Sequence, residues 1–178
     1  MINMNNFIVR FIPVIFFTIT LLVSCSEEKP KSSLIIKDNL LYKIGEDKPF
    51  TGTERGTVDG KILEYEVVDG LKQGKFRIYY ADETIAVDGQ IDSNKNVGKW
   101  QYFYPSGSLE SEGGFTNDQP EGKWLWFYES GIVKEEGNFK AGMKIGSWKQ
   151  FNELGELISE EEFLDEDSSY NNQIQLNL

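Results

Sequence analysis

The sequence predicts an all-β fold, an elongated single-layer antiparallel meander of stacked β-hairpins repeating every 24 residues. Three observations carry that prediction. First, Gly74, Gly98, Gly122 and Gly146 fall at equal intervals of 24, a period that marks a stack of like supersecondary units. Second, residues after each glycine keep register: Tyr79, Phe103, Phe127 and Phe151 at five, Ile85, Leu109, Val133 and Leu157 at eleven, and Ile91, Phe115, Phe139 and Phe163 at seventeen. An acid, Asp88, Glu112, Glu136 or Glu160, always stands at fourteen. Third, turn residues interrupt every unit twice, which leaves room for two short strands and none for a helix of ordinary length.

Within a unit the elements follow from local chemistry. Trp100 to Tyr104 is an aromatic run of high strand propensity. Pro105-Ser106-Gly107 supplies a turn in which glycine takes a positive φ. Leu109 to Phe115 returns, and Asn117-Asp118-Gln119-Pro120 turns toward the next repeat. The third unit repeats the scheme with Glu129-Ser130-Gly131 and Ala141-Gly142. Ahead of these, Gly52 to Gln73 reads as a shortened unit of 22 residues with Asp59-Gly60 and Asp69-Gly70 as its turns.

Composition narrows the function. The chain has 178 residues, 18 Lys and Arg against 29 Asp and Glu, a formal net charge of −11, one Cys and no His. Without His there is no imidazole base, no Ser-His-Asp or Cys-His constellation and no His-containing zinc site. A single Cys builds neither an intrachain disulfide framework nor a CxxC centre. The charge opposes nucleic-acid phosphates and anionic lipid surfaces, so no nucleic-acid partner is expected. The Asp and Asn residues lack calcium-loop spacing, and no metal or cofactor is expected.

Residues 1–24 read as an export signal. Arg10 gives a positive flank, and Phe11 to Val23 is a largely apolar run of thirteen residues, short for a permanent membrane span. Its end, Leu22-Val23-Ser24-Cys25, resembles the lipobox of bacterial lipoproteins. That resemblance implies acylation of Cys25, and several acyl chains together anchor a protein stably. The mature chain would then start at Cys25 and, having lost Arg10 and no acid, carry a charge of −12. Residues 25–39 form the lipidated cysteine and a flexible polar tether that includes Glu27, Glu28 and Pro30. Ser26 is not the aspartate of inner-membrane retention, which favours the outer membrane. The acidic pair resembles a surface-export signal and equally suits a solvated linker, so the periplasmic and surface sides both stay open.

The phrase G-K-W-x-x-F-Y-x-x-G-x-L-x-x-E-G-x-F resembles the MORN-repeat variant (membrane occupation and recognition nexus). With the opening Leu40 to Gly52, the resemblance covers residues 40–163. It implies a β-hairpin repeat protein and says little of function. Bacterial proteins with such repeats are often labelled antitoxins, and for an exported lipoprotein that implies an envelope immunity role against a basic toxin partner. The last unit departs from the phrase: Asn152 replaces the Tyr104 and Tyr128 type, and Glu161 replaces the Gly113 and Gly137 type. This decay reads as a polar terminal cap. Residues 164–178 form an acidic, polar tail, loose over Glu166 to Asn172, whose Ile174, Leu176 and Leu178 alternate as in a weak edge strand.

Two candidate surfaces follow. A three-residue loop pairing Tyr104 with Ser108 makes Phe103 face Leu109. Strand alternation then gathers Trp100, Tyr102 and Tyr104 beside Glu112, and Trp124, Trp126 and Tyr128 beside Glu136, as one aromatic stripe edged by carboxylates. The stripe suits an extended peptide, a basic segment or a glycan, or the rings simply pack on one another. A register error of one residue exchanges the faces. Paired carboxylates invite a glycoside-active enzyme, yet acids that recur once per repeat behave as structural ladders, and no catalytic residue is assigned. Lys75, Lys99 and Lys123 are expected to offset the acid column or blunt an edge. The favoured function is a lipid-anchored, non-enzymatic module in the cell envelope that binds a protein or polymer.

Overall fold

A computed structural model describes residues 33–165 of the chain. They form twelve strands, in order β1 (Leu34–Lys37), β2 (Leu40–Lys43), β3 (Gly52–Val58), β4 (Lys61–Val68), β5 (Leu71–Tyr79), β6 (Ile85–Asp92), β7 (Lys95–Phe103), β8 (Leu109–Thr116), β9 (Gln119–Phe127), β10 (Val133–Lys140), β11 (Met143–Phe151) and β12 (Leu157–Phe163). Strands β3 to β12 make one ten-stranded sheet in sequence order, every neighbour antiparallel. The predicted meander of hairpins is therefore the observed fold, open at β3 and β12.

The two sides of the meander use different turns. Along one side, two-residue turns at Asp69-Gly70, Ser93-Asn94, Asn117-Asp118 and Ala141-Gly142 place both central residues at positive φ, and Asp59-Gly60 does the same on the other side. That geometry matches the right-handed strand twist of tight hairpins, which explains the Asn, Asp and Gly content. Their counterparts across the sheet include three-residue loops. In each of these the residue before the loop accepts a hydrogen bond from Gly107, Gly131 or Gly155, all with φ between 80° and 86°. Glu83 fills the same place in the first full unit with φ 67°.

The glycines that set the period have a separate role. Gly74, Gly98, Gly122 and Gly146 lie inside the long strands, with φ from 62° to 83°. At Gly98 and Gly122 the register slips against the preceding strand, and three residues of the long strand face one residue, Gly89 or Gly113. A left-handed residue within a strand is the signature of a bulge, and glycine adopts it without strain.

The segment expected as a tether contains structure. Leu34–Lys37 pairs with Leu40–Lys43 as a separate two-stranded sheet. Three apolar residues, two of them β-branched, favour the extended state, and Asp38-Asn39 turns with φ of 52° and 63°. The hairpin docks through Leu41 N–H donating to the Gly70 carbonyl at 2.9 Å, and Phe50 N–H donating to the Leu41 carbonyl at 2.8 Å. Leu41 and Phe50 then close over Tyr65 and Val67, with Leu34, Leu63 and Phe76 around them. The hairpin thus covers one end of the sheet's apolar face. The export signal, Cys25, and the tail beyond residue 165 lie outside the described residues.

Candidate binding faces of the sheet

A single-layer sheet has two faces, and here they differ. On the first, the indoles of Trp100, Trp124 and Trp148 are buried to about 5 % exposure. Each lies across a glycine of the preceding unit: Trp100 over Gly89, Trp124 over Gly113, Trp148 over Gly137. Trp124 Nε1–H donates to the Gly114 carbonyl at 3.1 Å and Trp148 Nε1–H to the Asn138 carbonyl at 3.2 Å. Phenylalanines fill the intervals edge-on. Ring centroids separate by 5.6 Å for Trp100 and Phe115, 5.3 Å for Phe115 and Trp124, and 5.0 Å for Phe139 and Trp148. Tyr102 and Trp126 flank this ladder, half-buried, at 6.5 Å and 5.6 Å from Trp124. The rings supply the burial that a second layer gives other sheets.

Tyr104 and Tyr128 are staples as well. The Tyr104 hydroxyl donates to the Phe127 carbonyl at 2.7 Å and that of Tyr128 to the Phe151 carbonyl at 2.8 Å, each reaching the next hairpin. Burial raises the phenol pKa of Tyr102. It does the same for Tyr104, where Glu110 and Glu129 add to the effect.

The placement of Glu112 and Glu136 beside these aromatics is corrected by the structure. Tyr104 N–H does bond the Ser108 carbonyl and Phe103 does face Leu109, as the loop predicts. The next pair, however, is Tyr102 with Ser111, so Glu110 is an extra residue. The bulge inverts the alternation of everything after it. Glu112 therefore pairs with Gln101 on the opposite face, and Glu136 pairs with Leu125. The same bulge recurs at Ala86, Lys134 and Ile158. A bulge inserts a residue without altering composition, so alternation alone passes over it. The available signal is the glycine column Gly89, Gly113, Gly137, which belongs under the indoles and fixes the register.

The second face is polar along its middle. Glu112 takes Lys99 Nζ at 2.8 Å and the Gln101 amide at 3.0 Å, and Glu136 takes Lys123 Nζ at 2.9 Å. Lys99 and Lys123 thus offset the acid column, whereas Asp88 uses Arg77 Nε at 2.9 Å and Glu160 uses Lys149. Hydrogen bonding from Lys99 holds the Glu112 carboxyl below its ordinary value; burial opposes this, and Gln101 supports it.

The sign of the linkage follows. A carboxyl lowered in the folded state contributes stability above its unfolded pKa, about 4.3 for Glu, and loses it as pH falls through the lower folded value. Urea unfolding should therefore show stability falling between pH 5 and the acid limb. Glu112→Gln should cost under about 1 kcal/mol at pH 7, as exposed pairs do, and should reduce that acid slope. An unchanged slope would show that the pair does not titrate with folding.

Two of the hairpins also resemble a known repeat. Residues 96–117 and 120–141 match the MORN repeat variant. The first match covers the β7–β8 hairpin and the second the β9–β10 hairpin, so a MORN-variant unit here is one hairpin with its bulges. No curated protein matches the chain significantly. Among the described residues no group of three or more Asp, Glu or Cys side chains is gathered for a metal ion.

Proposed function

We propose that this chain is a membrane-anchored bacterial lipoprotein whose sheet is a non-enzymatic binding module of the cell envelope, most consistent with an outer-membrane location. The observation that carries the reading is repetition: an acid held by a Lys or Arg of the facing strand recurs in successive hairpins at Asp88, Glu112, Glu136 and Glu160. Catalysis concentrates perturbed groups at one place, whereas a repeated face suits an extended partner. The lipobox-like Leu22 to Cys25 supports the anchor, and lipid rather than the acidic body would hold the membrane. A second reading, an immunity protein that neutralises a basic toxin, draws on the net charge of −11.

Three measurements test this. A palmitate analogue should label the wild type and not Cys25→Ala. The chain with residues 1–25 replaced by a cleavable signal lacking cysteine should appear folded in the soluble fraction. Continued tight membrane association of that chain would overturn the division of labour between lipid and sheet. Photo-crosslinking from Gln101 and Tyr102 in intact cells should capture a partner from one face of the sheet. A basic protein encoded beside this one would select the immunity reading.

A further inference from the structure

The polar face repeats a shape as well as a charge pattern. One shallow depression is bounded by Lys75, Asp88, Gln90 and Lys99. The next is bounded by Lys99, Glu112, Gly114 and Lys123, each 24 residues beyond its counterpart. On the same face runs a second row, Tyr79, Phe103, Phe127 and Phe151, each opposite an aliphatic residue across its hairpin. These rings are half-buried and, among the described residues, make no ring–ring contact, unlike the interlocked rings of the other face. Successive rungs are two strands apart, about 9.6 Å.

We propose that this face binds a linear, uncharged, polyhydroxylated polymer, a β-linked polysaccharide, laid across the strands along the repeat. The inference rests on the binding-module reading and names its ligand class. A sugar chain presents C–H faces and hydroxyl edges side by side, as the ring row and the polar row require. The charges are paired at 2.8 Å and 2.9 Å, so the row does not select an ion of either sign. Yet each pair keeps unused donors on the ammonium and unused lone pairs on the carboxylate. Lys99 and Lys123 are 62 % and 59 % exposed, which leaves those donors reachable. A ligand that satisfies both must donate and accept from one group, as a hydroxyl does; a proline-rich backbone offers carbonyls alone. A peptide that adds to a sheet needs a free edge, and β5 to β11 are paired on both sides.

The test is calorimetry on the full-length chain, extracted from membranes in detergent, with linear β-1,4-linked glucose and N-acetylglucosamine oligomers. A hexamer reaches further repeats than a dimer and should bind at least about tenfold tighter through added contacts. Lys99→Ala/Lys123→Ala alters exposed side chains and should weaken hexamer binding at least fivefold, with circular dichroism matching the wild type and the unfolding midpoint lowered only by the small cost of two exposed pairs. Phe127→Ala should do the same where its circular dichroism matches the wild type. Absence of hexamer binding at millimolar concentration, or binding indifferent to these variants, overturns the proposal. If a protein is nonetheless crosslinked from Gln101 in cells, the binding-module reading stands with a protein ligand. If neither sugar nor crosslinked partner is found, both readings fall.

Discussion

Trp124→Ala should cost about 3–5 kcal/mol, the range for truncating a large buried aromatic. The indole is 6 % exposed and touches Phe115, Trp126, Tyr102 and Phe139, and its N–H is bonded to the Gly114 carbonyl. Among the described residues no second sheet stands over it to close the gap. The loss should appear in urea unfolding as a lower midpoint, followed both at tryptophan and by far-ultraviolet circular dichroism. Units of a repeat protein couple mainly to their neighbours, so the two probes should separate as the sheet divides at the β9–β10 hairpin. Trp126→Ala, which removes a half-buried ring, should cost roughly 1–2 kcal/mol. If Trp124→Ala leaves the midpoint within about 1 kcal/mol of the wild type while abolishing capture of a partner, the aromatic stripe is a binding surface and not packing.

The hairpins and their period were legible because they rest on local signals. Gly74, Gly98, Gly122 and Gly146 are required by a backbone conformation, and a requirement of that kind shows in the residue itself. Tyr104 pairing with Ser108 follows from Pro105-Ser106-Gly107 in the same way. The faces were less legible, since the bulged residue differs at each recurrence: Ala86, Glu110, Lys134, Ile158. Nothing about their side chains is held in common, because the bulge is specified by the pairing on either side of it. The first hairpin was hidden for another reason. Leu34 to Lys37 is short and follows a polar stretch, and it becomes a strand by pairing with Leu40–Lys43, which Leu41 docks on Gly70 and Phe50. Tertiary contact decides such segments more than propensity does.

Gly113→Ala should be nearly as damaging as the loss of the indole above it, at about 3 kcal/mol, the upper end for an added methyl in a packed site. A Cβ at Gly113 would run into the Trp124 ring, and that ring is held by its neighbours and its N–H bond. Gly107→Ala provides the contrast, since φ there is 86° and nothing lies within 4 Å of the new carbon. It should cost about 1–2 kcal/mol from backbone strain alone. The two costs part in the Trp124→Ala background. There Gly113→Ala should become almost neutral, giving a coupling of about 2–3 kcal/mol in the double-mutant cycle, while Gly107→Ala should keep its full cost. A Gly113→Ala penalty unchanged by removal of the indole would mean that the glycine serves the backbone instead. The same contact accounts for the last unit. Glu161 stands opposite Trp148 at the place of Gly113 and Gly137, and position 172, one period beyond Trp148, is Asn. With no tryptophan at that position to lie over it, the column has no need of glycine, and a charged side chain there gives the end of the stack its polar surface.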